Sequence, residues 1–531
     1  MTGQTRASRK ADPELLTRLL ARDTSLWSKD PAVRSSISQR LGWLDAVSFS
    51  RGQLPGIREF TAQITEAGFD SVILMGMGGS SLAPEVFNQC FQRTRRGPRL
   101  TVLDTTFPDS VQRATAAAAR GQPLFIISSK SGSTAETMAL YKHFWQWCQT
   151  RYGIRCGDHF VAITDENSAL HQLGAANEFR EVFLNPSDIG GRYSALSQFG
   201  LLPASLVGVD LPQLLDRAQQ MIDTPEAMDA AFRLGYLMGS SALAGQDKLT
   251  LTFSPQLTPL GPWIEQLVAE STGKDGKGIV PIIGEAELPP DRYPHDRLFV
   301  EINLSHEVSK HPDSESRLAS LERHGHPVVS ISATDMHDLG AEFLRWQIAT
   351  AIAAAVMGIN PFDEPDVNAA KQSTARILQG KPPPVPKSPR DPCVSNFLKC
   401  VRPHDYVALL AYLPTDQNWE ELLQPLRLRL LRRLNIATSL ALGPRYLHSS
   451  GQLHKGGKKN GHFIVLTVTG HQDVSIPEEN YSFGRLIDAQ AQGDLAVLDK
   501  CGQKTCHINL GAIEKAAAAI HALSASIDSQ P

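Results

Sequence analysis

A chain of 531 residues, 42% apolar and 20% charged, is long enough to bury more than one globular core. Its net charge of −3 argues against a nucleic-acid or membrane-surface partner, and no apolar run approaches the roughly 20 residues of a membrane span. Seven cysteines without a CxxC pair argue against a disulfide framework or a zinc ribbon and suit a reducing cytoplasm, and the basic N-terminus MTGQTRASRKADPELL lacks the apolar stretch of a secretory signal.

In chain order, a polar helical region over about 12–68 leads into SVILMGMGG, a buried strand running into a glycine loop. The helix-like LAPEVFNQCFQR follows, then the strand RLTVLD, a helix over 110–120, the strand PLFIISS and a long helix over 134–150. DHFVAIT and EFREVFL supply two more strands. Short apolar strands alternating with helices predict a parallel sheet covered on both faces. A second set begins near Leu211: helices to about Ala244, the strand KLTLTFS, a helix through Glu270, the strands RLFVEINL and PVVSISA, and an apolar helix over 337–358. Next comes GKPPPVPKSPRD (380–391), where five prolines in twelve positions predict an extended linker. Beyond it stand DYVALLAYL, the helix WEELLQPLRLRLLRRL, the strands IATSLAL, HFIVLTV and CHINLG, and an alanine-rich terminal helix. The expected fold is α/β: two tandem doubly wound parallel-sheet units and a small C-terminal α+β domain. The expected boundaries are 1–205, 206–380, a linker over 381–393, and 394–531.

Two loops carry the chemistry of the first unit. In IISSKSGSTAETMAL (126–140) a buried strand stops in a turn rich in hydroxyls and then becomes helical. Ligands of parallel α/β sheets bind beyond the carboxyl ends of the strands, and a helix N-terminus there favours an anion. Ser129, Ser131, Ser133 and Thr134 add hydroxyl donors and Lys130 a charge, an inventory that matches a phosphate monoester. Taken alone, the turn also reads as a serine-rich N-cap. The second loop, GMGGSS (76–81), approaches a dinucleotide fingerprint, with Asp104 where a ribose-binding acid would sit, but Ser81 replaces the third glycine. Two hydroxyl-bearing loops on one sheet suit a sugar phosphate better than a pyrophosphate cofactor.

GMGGSSLAPEVF, SSKSGSTAET, GGRYSALSQFGLLPA (190–204), EQLVAESTGKDGKG (265–278) and INPFDEPDVNAAKQ (359–372) together resemble phosphoglucose isomerase of the sugar-isomerase (SIS) domain family. The wording is most similar to the isomerase half of bacterial transaldolase/phosphoglucose isomerase fusions; GPRYLHSSGQLHKGG (443–457) and YSFGRLIDAQAQGDL (481–495) extend the resemblance toward the C-terminus. It implies interconversion of glucose 6-phosphate and fructose 6-phosphate through an enediolate, in a cytoplasmic homodimer, with no metal or redox cofactor.

Residue by residue, the resemblance implies Glu270 as the base, Arg192 as the stabiliser of the enediolate and Lys371 as an aid to ring opening. Gly79, Ser80, Ser129, Lys130, Ser131, Thr134 and Gln266 are the implied substrate-binding residues. The chemistry suits these types: a carboxylate moves the proton, and a fixed guanidinium meets charge that forms only during reaction. Without the motif, Glu270 would read as a surface partner of Lys274 at i+4, Arg192 as a loop ion pair, and Lys371 as a solvent-facing helical lysine. Many members of the family take a ring-opening histidine from the neighbouring subunit. His295, in DRYPHDRLFVEI, is the one histidine in the region that suggests itself, and it reads better as a surface-loop residue. In the C-terminal part, Arg427, Arg429, Arg432 and Arg433 read as a solvated or subunit-facing surface. QLHKGGKKNG, with His454 and Lys455, reads as an anion-binding or a mobile loop. Two other classes stay open: a sugar-phosphate sensor without chemistry, and a nicotinamide-dependent oxidoreductase using GMGGSS and Asp104.

Overall fold

The computed structural model describes residues 12–94, 96–308, 313–380, 394–415, 418–470 and 472–528; the linker expected over 381–393 lies outside them. Among these residues no helix is long and apolar enough to cross a membrane. Three parallel sheets organise the chain. The first contains β1 (Ser71–Gly76), β2 (Arg99–Leu103), β3 (Pro123–Ser128), β4 (Phe160–Asp165) and β5 (Glu181–Asn185), in the order β2-β1-β3-β4-β5. All six residues of β3 and five of the six of β1 are buried. A strand covered by helices on both faces has no polar side, so it reads as an unbroken apolar run.

The strand order decides where a ligand can enter. The chain leaves β1 toward β2 on one side, then returns to build β3, β4 and β5 on the other. Successive crossovers therefore lie on opposite faces, and a crevice opens beyond the carboxyl ends of β1 and β3. GMGGSS and SSKSGST occupy that position.

The second sheet repeats the plan with β6 (Lys248–Phe253), β7 (Val280–Ile283), β8 (Arg297–Leu304) and β9 (Val328–Ala333), ordered β7-β6-β8-β9. The sequence reading missed β7, whose four residues are too short a run to separate from loop. One buried cluster runs through the helices between the first and second sheets and holds Trp43, Trp263 and Trp346, each nearly inaccessible.

The C-terminal part corrects the expectation of an α+β domain. Its strands β10 (Tyr406–Ala411), β11 (Ala437–Leu442), β12 (Gly461–Thr469) and β13 (Lys504–Ala512) are all parallel, in the order β11-β10-β12-β13. Parallel neighbours require crossovers, and the long one overlooked is the helix Phe483–Lys500. Phe483, Leu486, Gln490, Gly493, Asp494 and Val497 are all buried, so polar residues and a glycine interrupt the apolar stripe that would signal a packed helix. That helix packs on the helix Val367–Leu378, and the short helix Gly451–Gly456 packs on Leu260–Thr272. Both partners belong to the second unit, while Phe483 and Leu486 join the buried cluster of the first sheet, so the third unit is seated against both of the others.

Candidate active site

A cavity of about 350 Å³ opens at the β1/β3 crevice, and Gly79, Ser80, Ser129, Lys130, Ser131, Thr134, Arg192, Gln266, Glu270 and Lys371 all line it. A second cavity, of about 390 Å³, lies behind the 445–449 turn, where Glu265, Arg427 and Arg445 face Phe253 and several prolines. It contains neither hydroxyl loop nor Glu270, so the first cavity is the one that gathers the residues expected from the sequence.

Backbone geometry brings the loops together. A Cβ on Gly79 would lie 2.0 Å from the carbonyl oxygen of Gly191, so only glycine lets the GMGGSS turn meet the GGRYS turn. Gly132, at φ +68°, turns the chain so that its N–H meets Ser129 Oγ at 3.1 Å. Thr134 stands at the N-cap of the helix Ala135–Tyr152 but makes no side-chain cap bond; its hydroxyl instead lies 3.3 Å from that of Ser129. Two hydroxyls thus gather over a helix N-terminus, whose first N–H groups lack intrahelical partners. Lys130 is held differently: Asp165 binds its ammonium, and the Ser187 carbonyl accepts from it at 2.7 Å.

On the opposite wall the helix Leu260–Thr272 carries Gln266 and Glu270 one turn apart, both buried. Gln266 Nε2 donates to Glu270 Oε2 (3.0 Å) and to the His448 carbonyl (2.8 Å). Arg192 NH1 lies 3.2 Å from Glu270 Oε1 and 3.2 Å from Glu364 Oε2. The rest of the guanidinium is clamped: Nε donates to Ser271 Oγ (2.9 Å), and NH2 to the carbonyls of Pro361 (2.7 Å) and Asp363 (2.9 Å). Burial raises the Glu270 pKa above the ordinary carboxylate range; Arg192 opposes the rise and the charge of Glu364 adds to it. Lys274 pairs with Asp363 and donates to the Asn360 carbonyl rather than pairing with Glu270. A desolvated carboxylate beside a fixed cation can take a proton next to a carbonyl while the cation receives the oxyanion.

The sequence reading missed a third group. His448, in the turn after β11, lines the same cavity, and its Nε2 lies 2.9 Å from Glu136 Oε1. Burial alone would push the Glu136 carboxyl up; the adjacent His448 and the more distant Lys371 bring it down to about 2. An ionised Glu136 accepts the Nε2 proton and leaves Nδ1 to exchange protons. Both residues stood inside the quoted motifs SSKSGSTAET and GPRYLHSSG. A carboxylate in the first turn of a helix reads as dipole compensation, however, and nothing local links positions 136 and 448.

Other singled-out residues lie elsewhere or are occupied. His295 is exposed and does not line the cavity. Asp104, 1% exposed, accepts from Arg445 Nε at 2.6 Å, which removes the carboxylate that a nicotinamide ribose would need. Arg427 is buried and binds Thr438 through its hydroxyl (3.2 Å) and carbonyl (2.5 Å), contrary to the surface expectation. Lys455 forms a buried ion pair with Asp494 at 2.6 Å, and His454 lies 3.1 Å from the Tyr406 hydroxyl, with burial bringing its pKa down to about 3. QLHKGGKKNG is therefore neither an anion site nor loose: Gly451–Gly456 is helical and its polar groups are spent on the core.

The described residues form an α/β protein of tandem parallel-sheet units with a hydroxyl-lined crevice beyond the first sheet. The solved structure of a hypothetical protein from Thermus thermophilus superposes with a TM-score of 0.60 at 25% identity, covering 69% of this chain and 94% of that one. A glucose-6-phosphate isomerase from Chlamydia trachomatis shares the fold, with a TM-score of 0.53 at 18% identity over 68% of this chain and 78% of its own. Residues 58–279 match the family model described as phosphoglucose isomerase. Among curated relatives, glucose-6-phosphate isomerases of Staphylococcus saprophyticus and Staphylococcus aureus are each 26% identical. They cover 64% and 65% of this chain and 87% and 88% of their own lengths. Over the stretch that ends in the helix bearing Glu270 and the loop after it, the chain is similar to phosphoglucose isomerases.

Proposed function

We propose that the chain interconverts glucose 6-phosphate and fructose 6-phosphate through a cis-enediolate, with Glu270 as the base. The observation that carries this reading is the pairing of a buried Glu270 with a clamped Arg192 in the cavity that also holds the Ser129–Thr134 loop. The phosphate binds the Ser129–Thr134 turn and the helix N-terminus behind it. Ring opening breaks C1–O5, so one group must protonate O5 while another accepts the O1 proton; His448 and Lys371 serve these steps. Glu270 then carries a proton between C2 and C1 while Arg192 neutralises the enediolate oxygen. A sensor would need the phosphate loop but no buried base, which favours the enzyme.

The buried free thiols of Cys90, Cys148, Cys156 and Cys506 agree with a reducing, cytoplasmic setting. The homodimer implied by the resemblance stays part of this proposal, but the reading requires no partner residue, because His448 belongs to the same chain. A coupled assay with fructose 6-phosphate as sole substrate tests the reaction. Turnover in wild type, lost in Glu270→Gln with phosphate binding retained, supports it; an inactive wild-type chain refutes it.

A further inference from the structure

Gln490 lies on the helix Phe483–Lys500 of the third sheet unit and is 3% exposed. Its Nε2 donates to Glu136 Oε1 at 2.7 Å, the same oxygen that His448 Nε2 approaches at 2.9 Å. Its own Oε1 accepts from Thr106 Oγ at 2.7 Å, and Thr106 is fully buried. The amide is thus oriented from behind: the threonine hydroxyl takes the oxygen end and turns the NH2 toward the carboxylate. A carboxylate that holds two donors on one oxygen cannot rotate away from the imidazole without leaving the buried amide of Gln490 unpaired, which is costly.

We infer that Gln490, backed by Thr106, is a positioning residue for ring opening: it holds Glu136 so that His448 presents Nδ1 to the sugar ring. The inference rests on the isomerase reading above and deepens it. Glu136 comes from the first sheet unit, whereas His448 and Gln490 both come from the third, so the third unit delivers the histidine together with the brace that aims it. Gln490 touches no substrate in this account. It acts through Glu136, and its effect is confined to the step that needs His448.

The test separates ring opening from proton transfer by the choice of substrate. Glucose 6-phosphate is mostly cyclic and must be opened, whereas erythrose 4-phosphate cannot close, because its O4 carries the phosphate. Exchange of the C2 hydrogen of each is followed by NMR in heavy water for wild type and Gln490→Leu. The expected result is a loss of about tenfold or more on glucose 6-phosphate, part of the about 10²–10⁴-fold that acid–base catalysis contributes, with open-chain exchange unchanged. Equal losses on both substrates would make Gln490 structural and overturn the inference, as would no loss on either. Should Gln490→Leu fail to fold, Thr106→Val removes only the hydroxyl that orients the amide and must show the same selective loss. A wild-type chain inert toward both substrates would overturn the isomerase reading itself, whereas an active wild type with unselective variants would overturn only the role of Gln490.

Discussion

Glu270 is placed where its environment opposes ionisation, and the consequence is visible in pH dependence. A base must be unprotonated to act, and burial raises the pH at which Glu270 loses its proton. Activity is therefore retained above that raised pKa and lost as pH falls through it. The acid limb of kcat/KM is expected above the ordinary glutamate value of about 4.3. Glu270→Gln keeps the volume and the contact with Gln266 but accepts no proton, so kcat is expected to fall by about 10²–10⁴-fold. Fructose 6-phosphate run in heavy water gains deuterium beside the carbonyl with wild type; near wild-type turnover in the variant would place the base elsewhere.

At the scale of elements, the proposed phosphate site depends on turns held at touching distance. Ser129→Ala with Thr134→Ala removes two hydroxyl donors, each charge-assisted bond to a dianion being worth about 1.5–3 kcal/mol. KM is expected to rise by about an order of magnitude or more, and initial-rate kinetics reads it directly. Gly79→Ala is predicted to be more severe, because the new methyl meets a backbone carbonyl at 2.0 Å and no side chain can move aside. Within the third unit, Lys455→Met strands the Asp494 carboxylate, since both partners are 1% exposed. Denaturant unfolding should register a loss of about 3–5 kcal/mol, typical of breaking a buried pair.

For the whole molecule, the proposed reaction calls on one chain alone: Glu270, Arg192 and His448 line one cavity, and Glu136 braces His448. Mixed dimers test this. Coexpressed His448→Ala and Glu270→Gln chains would restore one good site per hybrid if the histidine crossed between subunits. With all groups in one chain, every hybrid site carries one defect, and no activity above that of the separate variants is expected. Recovery of activity would show that the histidine is exchanged.

What the sequence determined by itself was local. Unbroken apolar strands alternating with helices specified two parallel sheets, and the turns after β1 and β3 stood out by their glycines and hydroxyls. Glu270, Arg192 and Lys371 were legible through motifs, each a few residues long. The third parallel sheet was not, because the helix Phe483–Lys500 buries Gln490 and Asp494 among its apolar residues, which blurs the apolar stripe that signals a packed helix. Nor was the set formed by Glu136, His448, Gln490 and Thr106, whose members are separated by as many as 384 positions along the chain. Only the packing of the third unit on the other two brings those side chains within hydrogen-bond reach. Residue types and periodicity are written along the chain, but a proton-transfer geometry exists only between segments that tertiary structure has made neighbours.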